Sequence, residues 1–434
     1  MREKSLIRGM SKKVGNIFKG DKVIWMVFLF LSLISVVEVF SASSELTYKG
    51  GSYWAPVMKH VGVLLVGLVG IIFTSHVPCK YFRILTLLLL FVSIVSLLAV
   101  LIVGQSTNGA QRWISILGIQ FQPSEIAKGS MVLATAQILS ATQTDKGADD
   151  HAFKYICIVG IAVIGLIFFE NLSTAALLAF VIFMMMDVGR VSWKYLRFLA
   201  GGAITVVVIA LSAVMLIGTD ESQVTNPNKQ LTEVMQQKDE DKGIVEKIFH
   251  RASTWKTRII KQVEGFNGDP KDVDLDKDAQ RAHANIAIAS SNIIGKGPGN
   301  SVERDFLSQA FSDFIYAIII EEMGIFGAIF VALLYIILLF RTRYIANRCE
   351  NCFPAFLSMG LALLLATQAV MNMWVAVGLA PVTGQPLPLV SKGGTSTIIN
   401  CLYIGVILSV SRTAKRRDHV ASGAQTVAST ADVR

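Results

Sequence analysis

The chain has 434 residues, of which 53% are hydrophobic and only 16% charged, and its mean hydropathy is +0.55. That excludes a soluble globular domain and a disordered chain, and it places the protein among integral membrane proteins. The net charge of +9 says less than where the charges fall, and no nucleic-acid partner is expected.

Apolar runs predict ten spans, at 23–43, 56–77, 82–103, 126–141, 155–169, 171–187, 195–218, 314–340, 354–379 and 396–411. Only Glu170 and Asn171 separate the fifth from the sixth. As one helix the two would cover roughly 50 Å, against a hydrocarbon core of about 30 Å, so they count separately. With ten spans, the tail holding Lys12, Lys13, Lys19 and Lys22 shares a side with Lys80 and Arg83, Lys146 and Lys154, Arg190, Lys194 and Arg197, Arg341, Arg343 and Arg348, and the cluster Arg412 to Arg417. The opposite loops carry little more than Lys49, Lys59, Arg112, Lys128 and Lys392. The positive-inside rule then puts both termini in the cytoplasm.

The expected architecture is an all-α integral membrane protein with about ten transmembrane helices and one large extracytoplasmic loop. A cytoplasmic tail covers 1–22, spans one to seven cover 23–218, the outer segment 219–312, spans eight to ten 313–411, and a second cytoplasmic tail 412–434. The first span is too long for a signal h-region and lacks an A-x-A site. Cys349 and Cys352 form a lone CxxC, read as a reduced thiol pair rather than a zinc site.

Polar residues concentrate in three segments on the expected outer face. In 108–128, NGAQRWISILGIQFQPSEIAK, Arg112 and Lys128 lie near Glu125. Arginine suits a bidentate grip on phosphate and lysine supplies a point charge; an Arg-Trp interface anchor explains the first pair equally well. Span one adds Glu38 near its outer end, with Tyr53 and Trp54 at interfacial depth.

In 219–312, a mixed-charge linker (223–243) precedes a basic amphipathic stretch at 244–266, suited to the outer leaflet or to packing on the bundle. The acidic turn 267–278 lacks the glycine and closing glutamate of a calcium loop. GKGPGNS at 295–301 has no preceding strand and no GK[ST], so it is read as a sharp bend or close approach rather than a nucleotide loop. The eighth helix is expected to open at Asp313, with Glu321 and Glu322 about 12 Å deeper at 1.5 Å per residue. Carboxylates there are costly and point to function; a helix cap is the bland alternative for Asp313. The third segment, GLAPVTGQPLPLVSKGGTST at 378–397, holds too many prolines and glycines for a helix and is expected to be a re-entrant or outer loop against protein. Gln368 and Asn372 lie one turn apart on the span before it, facing inward.

Together these stretches resemble the FtsW/RodA (SEDS) family of peptidoglycan polymerases over roughly residues 20–415. RW with FQPSEIAK (121–128) is similar to the family's RW…QPSE-x-x-K, and GKGPGNS with DFIYAIIIEEMG to its GxGxGxS…DFIF…EE-x-G. Gln368-x-x-x-Asn372 with GLAPVTGQPLPLVSKGG is similar to its Q-x-x-x-N…G-x-x-P-x-x-G-x-x-LP-x-x-S-Y-GG. The chain departs from it before Asp313, where Leu307 to Ser312 replace the usual L-P-E-x-H-T. At 170–174, Glu170 to Thr174 replace P-D-x-G-T, and Lys392 stands where tyrosine is usual. PVTG at 381–384 is closer to the division-type FtsW branch than to the elongation-type RodA branch.

The resemblance implies glycosyl transfer on lipid II outside the bacterial cytoplasmic (inner) membrane, lengthening glycan strands during septum synthesis. Asp313 is the expected general base, acting on an acceptor hydroxyl. Arg112, Lys128 or Lys392 would neutralise the leaving pyrophosphate, alone or with a divalent cation (Mg or Mn); no metal ligand is assigned. The remaining candidate substrate contacts are Gln122, Ser124, Glu125, Gln280, Asn300, Ser301, Gln368, Asn372, Ser391, Gly393 and Gly394. One carboxylate offers a base but no second nucleophile, so the anomeric centre should invert. A single-span class B penicillin-binding protein transpeptidase and other divisome membrane proteins are the implied partners. The rival reading is a flippase for the lipid-linked precursor, since broken helices and buried carboxylates are also transporter features.

Overall fold

The structure, a computed structural model, describes residues 18–42, 54–103, 105–107, 110–116, 119–217, 279–307 and 310–431. Ten long helices stand where the ten spans are expected: α1 (Lys22–Ala42), α2 (Ala55–His76), α3 (Cys79–Val103), α4 (Pro123–Ala141), α5 (Asp150–Glu170), α6 (Leu172–Val188), α7 (Trp193–Ile217), α9 (Ile315–Ala346), α10 (Cys352–Ala376) and α11 (Thr395–Ala431). A shorter α8 (Ala279–Ser290) precedes α9. Among the described residues, seven of these helices are long and apolar enough to cross a membrane on length and composition alone. Of the rest, α6 is apolar but has 17 residues, and α4 has 19 but is more polar.

Local chemistry sets the boundaries. Pro56 and Pro123 sit in the first turns of α2 and α4, where a missing N–H costs nothing. Asn171 alone separates α5 from α6. Its backbone N–H donates to Ile167 O at 2.7 Å, while its side-chain oxygen accepts from Ser173 N at 3.1 Å and Thr174 N at 3.4 Å. An asparagine N-cap therefore splits the apolar stretch into two helices, as the length argument requires.

The helix α4 occupies the middle, packed by α3, α5, α6 and α10. α2 lies along α11 and α9 along α10 and α1. Small residues allow close approach: a Cβ on Gly67 would sit 2.6 Å from Cys401 Sγ, the packing that membrane helices favour.

At one end of the bundle, Asp21 accepts from Arg341 at 2.8 and 3.0 Å, its N–H donates to Ser411 Oγ, and Arg412 donates to Ser75 O at 2.7 Å. This is the end where the basic clusters fall.

Two departures from the sequence reading appear at the other end. The segment after α3 is not plain loop but a three-stranded antiparallel meander, β1 (Gln105–Thr107), β2 (Ala110–Ile116) and β3 (Ile119–Phe121), in register at Thr107↔Ala110 and Ile116↔Ile119.

The second concerns α9, which is not straight. Gly324 has φ 67°, ψ −169° and breaks it into a half-helix (315–323) and a long helix. In one continuous helix Tyr316 and Ala328 would lie roughly 18 Å apart; instead the Tyr316 hydroxyl donates to Ala328 O at 3.2 Å, so the chain folds sharply back at Gly324. The expected ladder of carboxylates along one straight helix does not exist. Asp313 and the Glu321–Glu322 pair lie at opposite ends of a short strut.

Candidate active site

The site is built on the irregular chain between α10 and α11. Pro381, Pro386 and Pro388 deny it a helix, and Gly378, Gly384 and Leu389 take positive φ values of 77°, 68° and 66°. Such backbone needs partners for its polar groups when it packs inside a membrane bundle. The polar side chains of the surrounding helices supply them. Gln368 donates to Pro386 O at 3.2 Å and Asn372 to Gln385 O at 2.8 Å. Ser35 of α1 donates to Val390 O at 2.6 Å, and the Tyr335 hydroxyl to Pro388 O. Gln385 in turn donates to Thr174 Oγ1 at 2.6 Å, and Leu387 N–H to Ser391 Oγ at 2.8 Å. The loop is thus folded against protein, as its composition predicts.

This loop fixes Asp313. Asp313 does not open α9; it lies in the turn 310–314, and Ile315 begins the helix. The N-cap position falls on Phe314, which makes no side-chain cap, so Asp313 stands one residue before it. Instead the turn's own carbonyls are held. Asn372 donates to Asp313 O at 2.9 Å, Ser391 to Ser312 O at 2.6 Å, and Lys392 N–H to Phe311 O at 2.9 Å. The Asp313 carboxylate is half-buried and accepts from Ser312 Oγ at 3.1 Å.

Beside this turn stands Lys392, its ammonium 4.9 Å from the centre of the Phe311 ring. Burial, then the positive charge of Lys59, depress its pKa below the usual lysine range. Lys59 belongs to the same corner: its neighbour His60 contacts Ser35 at 2.7 Å, the serine that holds Val390.

Lys128 is fully buried, 2.8 Å from Glu125 and 3.0 Å from Gln368 Oε1. Through Gln368, Pro386, Gln385 and Asn372 it connects by hydrogen bonds and chain to Asp313. Ser124 is buried and accepts from Gln122 at 3.0 Å; Glu125 O accepts from the Tyr403 hydroxyl at 2.7 Å. Arg112 has its backbone on β2, and its side chain lies outside the described residues, as do 219–278 with the amphipathic stretch 244–266.

The GKGPGNS loop serves the other end of the half-helix. Lys296 N–H and Gly297 N–H donate to Glu321 O and Glu322 O at 2.9 and 2.8 Å, closing the half-helix where Gly324 breaks it. Lys296 Nζ meets Glu321 at 2.5 Å, and Ser301 Oγ donates to the same carboxylate. Glu322 accepts from Gly299 N and Ser301 N at 2.9 and 3.2 Å, and from Ser41 Oγ of α1. A Cβ on Gly295 would sit 2.4 Å from Glu322 O, which is why this motif needs glycine and the glutamates together.

Ser301 is therefore built into this clamp, and Asn300 bonds Lys296 O at 3.0 Å at its exposed edge. Gln280 lies on α8, which Arg281 ties to Gly378 O at 3.3 Å. Gly393 O accepts from Ser396 N at 3.1 Å at the start of α11, with Gly394 next to it at φ 53°.

So the structure brings together Gln122, Ser124, Glu125, Lys128, Asp313, Gln368, Asn372, Ser391 and Lys392, and sets Asn300 and Ser301 apart from them. Ser35, His60, Lys59, Thr174 and Gln385 join the first group without having been assigned to the site in the sequence. Each sits in or beside an apolar run, and only the rule that polar groups there face a partner could have flagged them.

A helix bundle that folds a polar loop and a half-helix into one end, around a carboxylate and cations, defines a polytopic membrane protein with a built site. The chain belongs to the FtsW, RodA and SpoVE family, described as cell cycle protein, whose sequence profile matches residues 21–416. It is 28% identical over 407 residues to the probable peptidoglycan glycosyltransferase FtsW of Trichlorobacter lovleyi, covering 92% of this chain and 95% of that one. It is 26% identical to the peptidoglycan glycosyltransferase MrdB of Escherichia coli K12, covering 90% and 93%. Its fold is similar to a chain from a structure on the coordination of polymerization and crosslinking by a peptidoglycan synthase complex, with TM-score 0.66 and 22% identity, covering 92% and 99%. The rod shape determining protein RodA of Thermus thermophilus matches at TM-score 0.59 and 21% identity, covering 92% and 98%.

Proposed function

We propose that the protein is a peptidoglycan glycosyltransferase that polymerises lipid II at the outer face of the bacterial cytoplasmic membrane during septum synthesis, with both termini in the cytoplasm. The names of its relatives support the activity, and the FtsW relatives, together with PVTG at 381–384, favour division over elongation. One observation carries the site assignment: a half-buried carboxylate, Asp313, sits in a turn whose backbone is held by Asn372 and Ser391.

In this reading Asp313 takes the proton from the acceptor sugar hydroxyl as it attacks the anomeric carbon of the lipid-linked sugar. The bond to the pyrophosphate breaks, and its charge is met by Lys392, with Arg112 contributing. Lys128 is engaged by Glu125, so its part is to hold the loop under Asp313 rather than to reach the leaving group. The anomeric centre inverts in one displacement. A Mg or Mn ion taking part would add positive charge at the pyrophosphate. The partner is a class B penicillin-binding protein transpeptidase, consistent with the synthase complex whose chain shares this fold; other divisome membrane proteins complete the assembly.

The test is Asp313→Asn, which keeps the shape but removes the charge and the basic lone pair. The variant should fold and bind its transpeptidase, yet form strand polymer from lipid II about 10²–10⁴-fold more slowly. Wild-type polymerisation by Asp313→Asn would end the assignment and bring the flippase reading forward.

A further inference from the structure

Between α1 and α2 runs an apolar groove of about 520 Å³. Trp25, Leu29, Leu33 and Val36 form one wall, at three- and four-residue steps, and Leu64 and Leu68 stand on the other. From Trp25 to Val36 the groove follows eleven helical steps, roughly 16 Å. Its lining is apolar but for Ser32, so what fills it is hydrocarbon rather than a polar ligand.

The mouth of the groove is basic. Phe18 lines it at the basic end of the bundle, Lys19 follows, and Lys22 lies one turn before Trp25 and Met26. Asp21, between the lysines, is buried and engaged by Arg341 at 2.8 Å and by the N–H of Val23 at 2.9 Å. Among the described residues neither lysine has a carboxylate partner. Trp25 lines the mouth, its ring nitrogen donating to Lys19 O at 3.2 Å and its ring edge-on to Phe18 at 5.0 Å.

We propose that this groove binds one anionic diacyl phospholipid, with an acyl chain between α1 and α2 and the phosphate on Lys19 and Lys22. The site lies at the basic end, away from Asp313, and stands whether or not the polymerase reading holds.

Purified full-length protein would be titrated with phosphatidylglycerol and, separately, with phosphatidylcholine of the same acyl chains, and bound lipid counted by native mass spectrometry. At about fivefold per lysine near a membrane surface, phosphatidylglycerol should bind roughly 25-fold more tightly, and Lys19→Gln/Lys22→Gln should erase the difference. Leu33→Trp, at a side chain 54% exposed and so tolerant of bulk, should exclude both lipids while leaving the size-exclusion profile unchanged; Leu29→Phe serves if it does not fold. Equal binding of the two lipids, a preference that survives the double substitution, or undiminished binding in the filled groove would each overturn the proposal.

Discussion

Replacing Lys128 by methionine removes one end of an ion pair that water does not reach. Lys128 and Glu125 are 0% and 2% exposed, 2.8 Å apart, and one Glu125 oxygen has no other partner among the described residues. The substitution leaves a buried carboxylate alone and also strips Gln368 Oε1 of its donor. Breaking such a pair from one side costs about 3–5 kcal/mol. At this chain length a kcal/mol is worth roughly 1–2 °C, continuing the size trend of smaller domains, so Lys128→Met should lower the melting temperature of the detergent-purified protein by about 3–10 °C. Glu125→Gln should cost a similar amount. The double variant Glu125→Gln/Lys128→Met leaves no charge behind and should lose less than either single. A coupling of at least about 3 kcal/mol is the expected reading from the cycle. Strictly additive losses would refute the reasoning, because the two groups would then be stabilised separately rather than by each other.

Gly324→Ala should prevent the fold-back of α9, since its Cβ would lie 2.3 Å from Ile293 O at a φ of +67°; the check is the yield of monodisperse protein, and a wild-type yield would show that the break can move. Burial raises the Asp21 carboxyl, but its bonds and charge pairing with Arg341 and the Val23 and Ile24 amides outweigh this and hold it below 3.8. Its stabilisation is therefore present above about pH 4 and is lost as pH falls through the lower folded value. Asp21→Asn should remove that part of the acid sensitivity, seen by comparing unfolding at pH 7 and pH 3; an unchanged difference would refute it.

The helices were legible because membrane solvent leaves a one-dimensional signal: long apolar runs, with Asn171 between two of them too long to be one. The loop at 378–397 was legible for the opposite reason, since its prolines forbid a helix. The surroundings of Asp313 were misread. One glycine, Gly324, turned a straight helix back on itself, and in an apolar run a glycine is more often packing than a break. The small sheet carried its own signal in Asn108-Gly109, the strongest short hairpin dipeptide, which the polarity of the segment masked. Ser301 and the glutamates read as one motif but serve as a clamp, because hydrogen bonds across twenty residues cannot be ordered from spacing alone.

The position of α4 bears on how the chain enters the membrane at all. The helix at the centre, α4, carries Glu125 and Lys128 in its first two turns, charges that are costly to leave unpaired when a helix enters the membrane. Glu125 and Lys128 are one turn apart on the same helix, so they can neutralise each other as soon as that turn forms, before any neighbour exists. Gln368, which completes their contacts, is made 240 residues later. During synthesis α4 must therefore shelter against α3 and α5, already made or following directly. The polar centre of the finished protein is closed after α10, when the 378–397 loop and α11 bring Pro386 to Gln368 and Tyr403 to Glu125.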